Sequence, residues 1–138
     1  MQKSGFSNAR HCNLFTLEGD YFDTILMLMN GIGICGHLDG LNLFFQFLPE
    51  IMAPDGCVLA DSTDLSVLYS DRPELDPDSS EYGQTTFTMQ YGKIQGDPFD
   101  WIYIDFEKLS FYAGLHGLSC EKILQDRTGK YLARISYA

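Results

Sequence analysis

The sequence predicts an α/β fold, Rossmann-like, with a mostly parallel sheet closed by an antiparallel hairpin. Three observations predict it. An uninterrupted apolar run at 24–29 reads as a strand buried on both faces, the habit of parallel sheets. Leu41, Phe44, Phe45, Leu48 and Met52 then fall on the spacing of a buried helical stripe. A second apolar run, 57–60, stops at Asp61. Strand, helix, strand in this order is a βαβ unit, and such sheets bind ligands at the carboxyl ends of their strands. Two of those ends are Met29-Asn30-Gly31 and Asp61-Ser62.

The connection after the first strand carries Gly31, Gly33 and Gly36, a match to G-x-G-x-x-G. In a dinucleotide-binding fold that turn lets the backbone approach a pyrophosphate at the start of a helix. Here the helix is expected to begin after the third glycine, capped by Asp39, which puts a carboxylate where a phosphate should sit. Asp61 also lies further on than the roughly 20 residues expected for the acidic partner of that motif. The turn is therefore read as a plain strand-to-helix connection, with a dinucleotide-binding oxidoreductase using 31–36 as the alternative. Pro54-Asp55-Gly56 is expected to end the helix.

The stretch 61–81 carries seven acidic residues and one arginine, with Pro73 and Pro77 forbidding a continuous helix. It reads as a solvated surface loop. In 85–91, Phe87, Met89 and Tyr91 alternate with Thr86, Thr88 and Gln90, a half-buried strand. Its return is 99–104, with Phe99, Trp101 and Tyr103 on one face. Together 85–104 form an inserted aromatic hairpin, its rings expected to pack on the main sheet. Asp105 caps a last helix that stops at Gly117, with Phe106, Leu109, Tyr112 and Ala113 toward the sheet. Strands 119–125 and 131–136 close the fold through a turn in which Gly129 supplies a positive φ.

At 138 residues the chain is one domain, 1–138, and its 45% hydrophobic content supports a packed globule instead of disorder. A net charge of −10 argues against nucleic acid and anionic membrane as partners. No apolar run reaches the roughly 18 residues of a membrane span, so a cytoplasmic location is expected. Cysteines 12, 35, 57 and 120 and histidines 11, 37 and 116 are scattered. No metal site is expected, because zinc needs clustered ligands. Buried free thiols are expected, with Cys35 the most exposed. A Cys35–His37 nucleophile and base pair is disfavoured, since adjacent residues rarely present the geometry.

The order and spacing of these residues resemble a class I S-adenosylmethionine-dependent methyltransferase. The resemblance rests on Phe22-Asp23 opening an apolar strand, Asn30-Gly31 closing it, and Pro54-Asp55-Gly56 before Val58-Leu59-Ala60-Asp61, then Ser62 and Asp64. In that family this is the fourth strand, its helix and the fifth strand. Residues 5–15 resemble the third strand and its ligand-side turn, and 105–116 with the closing strands resemble the C-terminal end. The resemblance implies S-adenosylmethionine as cofactor, with Asn13, Leu14, Met29, Asn30 and Gly31 on it and Asn30 aligning the reacting centre. It implies a methyl acceptor, small molecule or protein, near Asp61, Ser62, Trp101 and Tyr103. Methyl transfer asks little acid–base chemistry of the protein, so the absence of a catalytic triad does not count against it. The family's glycine-rich cofactor loop would precede these residues. The chain thus resembles a C-terminal half, expected to bind the cofactor weakly or not at all alone. A non-catalytic interaction domain is a further alternative. With early strands missing, the edge of 24–29 is expected to be covered by residues 8–14 or, preferentially, by a second copy.

Overall fold

The computed structural model describes residues 5–68 and 82–138. Most of the acidic stretch read as a surface loop, 69–81, lies outside the described residues. The main sheet has four strands: β1 (Phe22–Met27), β2 (Met52–Thr63), β7 (Leu118–Gln125) and β8 (Lys130–Tyr137), in the order β1-β2-β8-β7. β1 and β2 are adjacent and parallel, with Thr24 opposite Cys57 and Met27 opposite Ala60. The β2–β8 and β8–β7 pairs are antiparallel. The βαβ unit and the closing hairpin are therefore as expected, and the parallel part of this mixed sheet is the β1–β2 pair.

One face of the sheet is covered. Val58, Ala60, Tyr131, Ala133 and Ile135 point into a core with Leu41, Phe44, Phe45 and Leu109 from two helices. These are α1 (Leu38–Phe47) and α3 (Phe106–Leu115). Burying each large side chain contributes about 1.5–3 kcal/mol, so the α1 stripe alone is a major term. The other face carries Leu26, Leu59 and Leu124, of which Leu26 is 61% exposed. The expectation that 24–29 is buried on both faces is corrected. Only Met27 of β1 is fully buried, because α1 and α3 cover one side alone.

Several boundaries differ for identifiable reasons. α1 begins after His37, not at Asp39, which sits in its first turn without capping it. It ends at Phe47 because Pro49 lacks the N–H that would continue the ladder. Met52 therefore leaves the helical stripe and opens β2. Pro54-Asp55-Gly56 is a turn, but inside the strand. The register jumps from Phe22–Met52 to Thr24–Cys57, so 53–56 loop out. Only glycine fits at 56: a Cβ there would stand 2.9 Å from the carbonyl oxygens of Ala53 and Phe22. β2 also runs past Asp61 to Thr63.

The third strand read at 8–14 is not formed. Asn13 instead caps a 3-10 turn, Leu14–Thr16, its side chain accepting from Phe15 N at 2.9 Å. A strand needs a neighbour to pair with, and none of the described residues offers one there. Residues 8–14 do not move in beside β1, whose outer edge has no partner among the described residues.

The inserted hairpin is present but broken. β3 (Gln84–Phe87) pairs with β6 (Phe99–Ile102) at its base. A smaller ladder, β4 (Gln90–Tyr91) with β5 (Ile94–Gln95), makes its tip. Met89 and Tyr91 are exposed instead of half-buried, with no core residue among the described ones packed on the arm's tip. A short helix, α2 (Leu65–Leu68), follows β2. α3 is capped as expected, Asp105 accepting from Lys108 N at 2.8 Å, and Gly117 and Gly129 take positive φ.

Candidate functional site at the carboxyl ends of β1 and β2

β1 ends in an unusual turn. Among the described residues, Met29 and Asn30 are the two non-glycine residues with positive φ, at 66° and 55°. Left-handed backbone costs an ordinary residue on the order of 1 kcal/mol, so two in succession is a strained segment that surrounding contacts must hold. One such contact is visible. Thr63 Oγ1, at the end of β2, donates to Asn30 Oδ1 at 2.8 Å. This bond ties the two strand ends together and leaves the Asn30 amide N–H groups without a described partner. Met29 projects beside it and is 88% exposed. Thr63 carried no sequence signal of its own; only its position two residues beyond Asp61 points to it.

Strand alternation separates the β2 residues. Asp61 and Thr63 lie on the open face; Ser62 lies on the covered one. One Asp61 carboxylate oxygen is buried with no hydrogen-bond partner. Buried polar atoms are almost always paired, so an orphan at a strand's carboxyl end is a binding hint. Ser62 is only 1% exposed, and its hydroxyl accepts from Ile104 N at 3.0 Å. Tyr131 OH donates to Ile104 O at 2.7 Å. Burial holds the Tyr131 phenol well above its ordinary range, so it stays a donor at neutral pH. Ser62 thus anchors the root of the arm instead of facing a ligand.

The glycine turn is a 3-10 segment, Gly31–Cys35, packed against β6. A Cβ on Gly33 would overlap the Trp101 indole around its nitrogen. The missing side chain there seats an aromatic ring. Trp101 continues an aromatic run, with Phe99 at 6.1 Å and Phe87 at 6.0 Å from Phe99. Tyr103 pairs through its backbone, its N–H reaching Gly83 O at 2.8 Å. Cys35 is buried, correcting the expectation that it is the most accessible thiol, and burial pushes its pKa up to about 12. Cys12 is the exposed one.

His37, read from sequence only as a poor base for Cys35, is engaged elsewhere. Its Nδ1 faces Gln84 Oε1 at 2.5 Å and its Nε2 faces Asp100 Oδ2 at 2.9 Å. Thr86 Oγ1 donates to the other Asp100 oxygen at 2.7 Å. The sequence holds no local signal for this cluster, since its members lie on three separate elements.

Asn13 and Leu14 are not brought to this site. Phe15, inside their 3-10 turn, packs edge-on against Phe47 with centroids 5.9 Å apart. Phe47 ends α1, and a helix of that length puts it about 15 Å from the glycine turn. Among the described residues, no group of three or more His, Cys, Asp or Glu side chains forms a metal cluster. No helix among them is long and apolar enough to cross a membrane.

The fold matches part of the class I methyltransferase fold. Its structural neighbours are S-adenosylmethionine-dependent methyltransferases. An S-adenosylmethionine-dependent methyltransferase from Bacteroides fragilis, solved with S-adenosyl-L-homocysteine, is 47% identical to the whole chain at a TM-score of 0.88. The chain spans 57% of that protein's length. A methyltransferase of the same kind from Clostridium acetobutylicum shares the fold over 99% of this chain and 68% of its own, with TM-score 0.66 and 13% identity. The CcbJ methyltransferase of Streptomyces caelestis does so over 92% of this chain and 62% of its own, with TM-score 0.61 and 12% identity. No family model and no curated protein matches the chain.

Proposed function

We propose that this chain is part of an S-adenosylmethionine-dependent methyltransferase and supplies the methyl-side wall of its cofactor cleft. The observation that carries the reading is the 47% identity, over every residue of the chain, to a methyltransferase solved with S-adenosylhomocysteine. The local geometry supports it. The strained Met29–Asn30 turn, pinned by Thr63, offers an exposed apolar side chain and an amide donor at a strand's carboxyl end. The apolar side chain fits the methyl side of such a cofactor, and the amide donor suits a lone pair on a neighbouring oxygen or nitrogen.

When bound, the cofactor would supply a sulfonium methyl carbon that is already a strong electrophile. The protein's task is alignment and exclusion of water. Asn30 holds the reacting end in place, with Met29 and Gly31 as the adjoining wall. Asp61, with its orphan oxygen, orients a donor or cationic group on the acceptor, and Trp101 and Tyr103 frame the acceptor side. The acceptor is a small molecule or a protein segment. A cytoplasmic location and a second copy against the bare β1 edge belong to the same proposal. Sedimentation at tens of micromolar tests the pairing; a monomer there removes it.

Asn30→Ala in the complete enzyme tests the central role. We expect kcat to fall about 10- to 100-fold while the S-adenosylhomocysteine dissociation constant changes less than about threefold. Loss of affinity with kcat unchanged would overturn the assignment. The dinucleotide alternative predicts tight NADH binding lost in Gly33→Ala.

A further inference from the structure

The 84–102 arm is held at two places. At its root Ile104 is buried between Ser62 and Tyr131. Further out, the imidazole of His37 bridges two side chains across the β3–β6 ladder, facing Gln84 on β3 and Asp100 on β6. His37 is the N-cap residue of α1, and Gly36 beside it would place a Cβ within 3.5 Å of Asp100. The glycine turn and the arm therefore meet at His37 as well as at Trp101 on Gly33.

We propose that His37 is a positioning residue: as imidazolium it clasps the arm to the glycine turn, and its deprotonation releases the arm from the carboxyl ends of β1 and β2.

The chemistry follows from the partners. Both ring nitrogens face oxygen acceptors, and only the imidazolium has a hydrogen on each. A neutral ring keeps one N–H, so Gln84 must turn its amide over or one of the two contacts loses its hydrogen bond. Among the described residues, the charged groups facing His37 are Asp100 from β6 and Asp39 from its own helix; Gln84 from β3 is neutral. Thr86 touches Asp100, not the ring. The Gln84 bond and then the Asp100 bond raise the His37 pKa above its ordinary 6.5. Thr86 and then His37 lower that of Asp100 below 3.8. A raised imidazole stabilises the seated arm fully below its ordinary pKa and loses that contribution as pH rises through the folded value. A lowered carboxylate contributes above its ordinary pKa and fails only as pH falls through its depressed value. The clasp is closed in mildly acid solution and opens as pH rises through the raised imidazole value, above 6.5. What it moves is apolar: Met89, Tyr91 and Ile94 at the arm's tip are all more than 60% exposed. The inference rests on this geometry and stands apart from the methyl-transfer reading.

Trp101 is the sole tryptophan and sits on Gly33, so its fluorescence reports whether the arm is seated. The 138-residue chain is scanned from about pH 5 to pH 9, following Trp101 emission, iodide quenching and the His37 ring protons by NMR. Expected is a shift of emission to longer wavelength and a severalfold rise in quenching, with the midpoint of the His37 titration and unchanged far-UV circular dichroism. His37→Gln should abolish the step, and Asp100→Asn should move it to lower pH. Emission that stays flat through the His37 midpoint overturns the proposal, as does a step that persists in His37→Gln. Should His37→Gln fail to fold, Asp100→Asn decides alone: a lowered midpoint supports the clasp, and an unmoved one removes it.

Discussion

The root of the arm at Ile104 and its clasp at Asp100 lie four residues apart in the chain and use opposite physics. At the root, Ser62 and Tyr131 satisfy both backbone groups of Ile104 in a dry core. At the clasp, His37 and Asp100 meet with about half of each side chain in water. A buried neutral bond is costly to break because the abandoned group stays desolvated, and pH does not touch it. An exposed ion pair is screened and replaceable by water, so it contributes little to stability but responds to pH. One arm thus has a fixed hinge and a titratable latch, which suits a segment that must move over a site without unfolding.

The comparison is broken most strongly at Gly33. Replacing it with valine forces the glycine turn and Trp101 apart, an overpacking expected to cost about 3 kcal/mol and to redden Trp101 emission at every pH. Thermal melts and emission spectra check both. Tyr131→Phe attacks the root instead. It strands the Ile104 carbonyl and is expected to cost about 1–2 kcal/mol, equally at pH 6 and pH 8, read from urea midpoints. A cost that changed across that range would mean the root is not the neutral anchor described. Asp105→Ala removes the α3 cap beside the root and should cost about 1 kcal/mol while leaving Trp101 emission unchanged. The smallest perturbation is chemical labelling. Cys12 should react with a thiol reagent rapidly, and Cys35 slowly, since burial and a pKa near 12 leave almost no thiolate. Mass spectrometry resolves the two, and Gly33→Val should raise the Cys35 rate.

Local rules carried much of the fold. The two apolar runs, the 3.6-period stripe, the Asp105 cap and the Gly129 turn each act over a few residues, and each is present. The misreadings share a cause. Pro49 overrides a stripe that continues to Met52, and the 53–56 bulge depends on Phe22, some thirty residues earlier. Residues 8–14 look strand-like by resemblance, yet no described neighbour pairs with them. Of the candidate site, the position of Asn30 at a strand end was legible. What was not legible depends on distant contacts: Thr63 with Asn30, Trp101 with Gly33, and His37 with the arm. Gly33 shows the limit well, because the motif it completes suggests a phosphate and the structure places an indole there.

The central claim is that the Met29–Asn30 turn forms the methyl-side wall of an S-adenosylmethionine cleft. Backbone amide NMR of the 138-residue chain, titrated with S-adenosylhomocysteine, tests it most directly. The account predicts weak, millimolar binding, with shifts concentrated at Met29, Asn30, Gly31 and Thr63. Silence at those four amides, with saturable shifts at Gly33 and Gly36 on adding NADH instead, would contradict it.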